Sequence, residues 1–216
     1  MNPKENYELR AQARGQLKGV WNQMVLAMLV YFAITFTPLF IFSEGSPLQN
    51  ATLESIINVL VSVASGPFAL GLAGYFLKRV RGEEFAISNI FDGFKRFIPS
   101  FLLCLFMYLF VFLWCLLLII PGIIKSFSYS MAYYIIYDDP NVKPLEALKK
   151  SQVMMKGYKW KYFTLQLSFI GWGLLCLLTL GIGFLWLVPY MYLSYANFYE
   201  DIKRNQQPRI EDNTQG

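Results

Sequence analysis

Lys125 is the residue most suited to chemistry in this sequence. It lies inside the apolar run 101–140, four positions after Pro121-Gly122. A lysine at the centre of a bilayer-spanning helix costs roughly 2.5–3.5 kcal/mol on insertion scales, which makes it a functional candidate by default. The competing reading is a side chain that snorkels past the nearby break to the headgroups. Ser128 and Tyr129 follow one helical turn on, and Ser126, Ser130 and Tyr133 form an adjacent track. Lys125, Ser128, Tyr129 and Tyr133 are therefore the candidate polar site, of a kind that binds a lipid headgroup. Serines in spans also bond back to their own helix, which would make the same track purely structural.

Two acidic pairs, Asp138-Asp139 and Glu200-Asp201, sit where apolar runs end. Paired carboxylates hold Mg²⁺ or perform acid–base work. The reading adopted is plainer, a solvated helix end partnered by nearby lysines. The three cysteines, Cys104, Cys115 and Cys176, lie in apolar runs without a C-x-x-C spacing and read as inert buried thiols. The absence of histidine removes histidine metal ligands and Ser-His or Cys-His catalysis. No P-loop, nucleophile elbow, H-E-x-x-H or dinucleotide fingerprint occurs. The expectation is a protein that is not an enzyme, with no catalytic or metal-ligating residue and no cofactor.

The elements that must position these residues are apolar. Of 216 residues, 56% are hydrophobic and only 15% charged, against about 25% in soluble domains. Six spans are expected, at 20–42, 53–77, 101–120, 122–137, 162–180 and 184–199, paired as hairpins 20–77, 101–137 and 162–199. A run of about 20 apolar residues crosses the ~30 Å hydrocarbon core. The fourth span is short, roughly 24 Å for its length, and either re-enters or crosses where the bilayer thins. Residues 1–19 read as a basic amphipathic interfacial helix, with Leu9, Ala13 and Leu17 on lipid and Arg10, Arg14 and Lys18 beside them. Two further amphipathic pieces fall at 83–98 and 144–156, and 200–216 reads as a disordered cytoplasmic tail. The fold class is all-α, a polytopic helical membrane protein.

All 19 lysines and arginines except Lys125 fall in the segments 1–19, 78–99, 138–161 and 200–216. That asymmetry places both termini in the cytoplasm. The net charge of +5 is explained by these borders, so no nucleic-acid partner is expected.

The chain also repeats a theme of basic amphipathic segment followed by hairpin. Tyr133 and Asp138 correspond to Tyr195 and Glu200 at an offset of 62, and Gly93 to Gly157 at 64. The first unit shares the entry Lys18-Gly19-Val20-Trp21 but lacks an acidic exit.

The block 120–172 carries a resemblance. Its residues are Ile120-Pro121-Gly122-Ile123, Ser128-Tyr129-Ser130, Asp138-Asp139-Pro140, Ser151, Met155-Lys156-Gly157 and Leu167-Ser168-Phe169-Ile170-Gly171-Trp172, then Pro189-Tyr190 and Phe198-Tyr199. This resembles the domain-of-unknown-function 975 family of small bacterial integral membrane proteins. It is also similar, more loosely, to the membrane domain attached to some glycerophosphodiester phosphodiesterases. The resemblance implies a multi-pass protein of the bacterial plasma membrane and supplies no activity. The expected function is binding or organising membrane lipids or membrane partners, as an accessory or protective protein. Membrane lipids and a membrane-protein partner or second copy are the expected contacts. The alternative is a small transporter or flippase for a lipid-like or amphiphilic substrate, because broken spans in repeats point to transporter sites.

Overall fold

Every regular element in the computed structural model is helical, with no strand among the described residues, which are 3–41 and 51–212 (side chains for 3–36 and 51–206). The expected outer loop at 43–47 lies outside them. In order the helices are α1 (Asn6–Leu17), α2 (Trp21–Ile41), α3 (Ala51–Arg81), a 3-10 segment (Ile87–Arg96), α4 (Phe97–Leu117), α5 (Ile119–Tyr129), α6 (Ala132–Asp138), α7 (Pro144–Met154), α8 (Lys159–Leu167), α9 (Ile170–Leu178) and α10 (Phe184–Asp212).

Helix α3 is the hub. Its half from Gly66 to Leu77 is almost wholly buried, and it touches the 3-10 segment, α4, α6, α10, α2 and α1. The 3-10 segment lies on it backbone to backbone. A Cβ at Gly71 would land on the Ile90 carbonyl, and one at Gly93 on the Pro67 carbonyl, so each glycine makes room for the other chain. Phe68 seals the contact with edge-on rings from Phe94 at 4.9 Å and Phe91 at 5.8 Å.

Among the described residues three helices are long and apolar enough to cross a membrane: Ala51–Arg81, Ile87–Leu117 and Lys159–Leu178. A fourth exists if α1 and the described start of α2, which meet at 98°, count as one span. The expected spans at 122–137 and 184–199 fall short for identifiable reasons. The first is split into α5 and α6, of 11 and 7 residues. The second is a stretch of α10 interrupted by tyrosines, Ser194 and Asn197.

Two expectations on the flanking segments change. Leu9, Ala13 and Leu17 are fully buried, and α1 packs on α10, α3 and α8, so its apolar stripe meets protein rather than lipid. An apolar stripe is satisfied by either environment. The segment after residue 200 continues α10 as helix to Asp212 instead of forming a disordered tail. Its polar side chains find partners there: Gln206 donates to the Met154 carbonyl at 3.0 Å and Lys203 to Asp138 at 2.5 Å.

Candidate functional site

The four residues singled out in the sequence separate. Lys125 is half-buried, with its Nζ 4.9 Å from the centre of the Trp114 ring and 3.5 Å from Gln152 Oε1. It therefore has both a cation–π partner and a polar one. Ser128 is buried and donates to the Ile124 carbonyl at 2.8 Å. Ser126 and Ser130 likewise bond back to Ile123 and Phe127. Tyr129 is buried with its ring 6.5 Å from Phe110. Only Tyr133 of the four faces the central cavity.

That cavity, of about 410 Å³, lies among α3, α4, α5, α6, α8 and α10. Six tyrosines line it: Tyr108, Tyr133, Tyr134, Tyr162, Tyr192 and Tyr195. Ser126 and Ser130 add hydroxyls, and Ala69 and Ala73 of α3 leave the space. Among the described residues no charged side chain lines it. Among the described residues the hydroxyls of Tyr108, Tyr134, Tyr192 and Tyr195 have no hydrogen-bond partner on the protein. Tyr133 reaches the Cys104 thiol, and Tyr162 reaches Ser130 and Gln166. Unpaired phenols in an apolar shell are available to donate to an acceptor on a bound molecule.

The cavity is held open by aromatic stacking and by one serine. Phe76 stacks on Tyr192 at 5.1 Å, and Tyr162 packs against Tyr195 at 5.4 Å. Beside the cavity the chain breaks between α5 and α6. Ser151 of α7, fully buried, donates to the Ser128 carbonyl at 2.7 Å and accepts the Met131 amide at 3.2 Å. A hydroxyl from a neighbouring helix thus satisfies backbone groups that the break would leave bare.

Below the cavity lies a charge node. Arg81, which the sequence presents only as the end of a span, donates to Glu200 Oε1 through Nε at 2.8 Å and Nη2 at 2.6 Å. The same Nη2 donates to Asp138 Oδ1 at 2.7 Å. Asp138 Oδ2 accepts from the Tyr199 hydroxyl at 2.8 Å and from Lys203. Burial alone would raise the Asp138 pKa, but hydrogen bonds from Lys203, Arg81 and Tyr199 outweigh it and hold the carboxyl below its ordinary 3.8. Both carboxylates are only 11% exposed, so these are not the solvated helix ends expected. Nearby, Gln16 and Asn197 exchange amide hydrogen bonds at 2.8 and 3.2 Å, and Arg79 donates to the Gln16 carbonyl. Among the described residues no three Asp, Glu or Cys side chains cluster as a metal site would require.

An all-helical chain with several helices fit to span a bilayer, wrapped round an uncharged tyrosine cavity, is the class that these observations define. The chain belongs to the family described as protein of unknown function DUF975, whose profile matches residues 1–125 and 115–206. No curated protein and no solved structure matches it.

The sequence holds one sign of the cavity. Tyr133 and Tyr195 sit at the repeat offset and both line it. Tyr108, Tyr162 and Tyr192 carry no such mark.

Proposed function

We propose that this is a multi-pass membrane protein that binds an amphiphilic, lipid-like molecule in its tyrosine cavity, without performing chemistry on it. The single observation carrying the reading is the ring of unpaired phenols in an uncharged cavity of ligand size. Such a lining favours an uncharged hydrogen-bond acceptor on an apolar body, as in the ester region of a lipid. A buried ionic head would find no counter-charge.

In this reading the chain crosses the plasma membrane six times as three hairpins, with α5–α6 and the first half of α10 as the fourth and sixth spans. Both termini then lie on the basic, cytoplasmic side. The distribution of lysine and arginine supports this arrangement. A reporter fused after Gly216 tests it, since activity outside the cell would overturn the even count.

Transport is the second reading, supported by the break at Ser130–Met131 beside the cavity. The other break, at Ser168–Phe169, lies in a different span of its hairpin and not at the repeat offset, which favours binding over alternating access.

The test is native mass spectrometry of mildly solubilised protein, parent against Ala73→Phe, which fills the cavity from α3. One dominant co-purified amphiphile in the parent, absent from the variant, is expected. The same mixed bulk lipid on both would overturn the reading. Counterflow into vesicles by the parent would replace binding with transport.

A further inference from the structure

A second groove, on the flank of α1, carries a different chemistry. It measures about 370 Å³ and holds Arg10 and Arg14 with Trp21, Trp172 and Trp186. Arg79, Arg81 and Arg96 each hold a carbonyl or a carboxylate. Among the described residues Arg10 and Arg14 hold neither, and Arg10 Nε is sealed from solvent with no acceptor. Two guanidinium groups lining one groove without a carboxylate between them are a pair that an anion would satisfy.

The surroundings say what accompanies the anion. Trp172 is 55% exposed and Trp186 48%, and Leu175, one helical turn on from Trp172 on the same side of α9, is 54% exposed. Tryptophan at the mouth of an apolar face is the side chain of the bilayer interface. The guanidinium fork matches phosphate oxygens two at a time. A free phosphate would answer the arginines and leave the tryptophans and the α9 face uncovered. A lipid covers both.

We infer that the groove between α1, α9 and α10 is a binding site for the phosphate of an anionic phospholipid, with its acyl chains along α9. The site rests on the chain lying in a membrane, and neither on six full crossings, since Gly183 and Trp186 share the groove with Arg10 and Arg14, nor on the tyrosine cavity as a ligand site. It also gives Arg10 and Arg14 a role distinct from general attraction to the surface, because their partner sits in a groove of fixed shape.

The experiment uses the full chain in phosphatidylcholine nanodiscs doped with brominated phosphatidylglycerol or brominated phosphatidylcholine. Tryptophan quenching reports contact. The anionic brominated lipid is expected to quench the parent at lower mole fraction than the neutral one. Arg14→Gln is expected to raise that half-saturating fraction about tenfold, the effect of one charge-assisted hydrogen-bonding group. Arg14 is exposed, so the variant should keep the parent's unfolding temperature; Arg10→Gln/Arg14→Gln should lose the preference entirely. Lys149→Gln/Lys150→Gln, which removes charge elsewhere on the basic face, should keep it. Equal losses in the lysine and arginine variants would overturn the site, and so would displacement by millimolar inorganic phosphate. Equal quenching by both lipids in the parent would overturn the site and leave the membrane reading standing. Quenching by neither would overturn both.

Discussion

Asp138 and Glu200 lie 62 positions apart in the chain and accept hydrogen bonds from the same atom, Nη2 of Arg81, at 2.7 and 2.6 Å. In the sequence the two match at that offset as the acidic ends of the second and third hairpins, and Arg81 stands at the end of the first. The unit without an acidic end supplies the cation that joins the other two. Two carboxylates this close repel, and the guanidinium makes their approach favourable by holding one in each direction.

Removing Arg81 should therefore cost more than an ordinary surface pair. Arg81→Gln leaves two mostly buried carboxylates facing each other. The expected loss is about 2–3 kcal/mol, under the range for fully buried pairs because Arg81 keeps some exposure. Thermal unfolding in detergent checks it. Arg81→Gln/Asp138→Asn should recover part of the loss, since the repulsion goes with the second charge. An Arg81→Gln protein as stable as the parent would mean that the node contributes nothing.

The Asp138 carboxyl sets a pH dependence with a definite sign. Its pKa is held below 3.8 in the folded protein, so folding favours the ionised form. The stabilisation is full above the unfolded value and disappears as pH falls through the lower folded value. Lys203→Gln removes a donor to Asp138 and should destabilise the protein at pH 7. The gap between parent and variant should persist down to 3.8 and close only as the pH falls through the lower folded value, where the folded carboxyl protonates as well. Unfolding curves at pH 7, 5 and 3 decide it, and a gap that widens with acid would reverse the assignment.

Much of the helical frame was legible in the sequence. The presence of α3 and α4 follows from apolar runs bordered by Lys78, Arg79 and Arg81 or by Pro99, while their bounds shift from the expected 53–77 and 101–120 to Ala51–Arg81 and Phe97–Leu117, with the chain breaking at Leu118 ahead of Pro121-Gly122. Pairing across the chain was not legible. Periodicity marks Leu9, Ala13 and Leu17 as an apolar stripe, but it does not say whether lipid or α10 covers it. Lys125 attracted notice because charge in an apolar run is rare, yet its partners Trp114 and Gln152 come from two other helices. Ser151 looks like any polar residue on an amphipathic helix, and only the break between α5 and α6 gives it a role.

Lys125 should consequently be dispensable for the cavity. Lys125→Met removes the cation from the Trp114 face, with an expected cost of about 0.5–1 kcal/mol. Because Lys125 does not line the tyrosine cavity, the amphiphile found by native mass spectrometry should remain at parental occupancy. Loss of that molecule with unchanged unfolding temperature would return Lys125 to the binding site.

Ser151 should matter in the opposite way. Its hydroxyl is the sole side chain bridging the Ser128 carbonyl and the Met131 amide among the described residues. Ser151→Ala strands both in a fully buried place, at an expected cost of about 1–3 kcal/mol. Ser151→Thr keeps the hydroxyl and should recover most of the loss if the added methyl is accommodated, whereas Ser151→Val, of similar shape, should not. Amide hydrogen exchange gives the local reading. The Met131 amide should exchange slowly in the parent and faster in Ser151→Ala, with α3 amides unchanged. Fast exchange of Met131 in the parent would show that the serine does not hold the break, and the cavity wall formed by Ser130 and Tyr133 would then need another support.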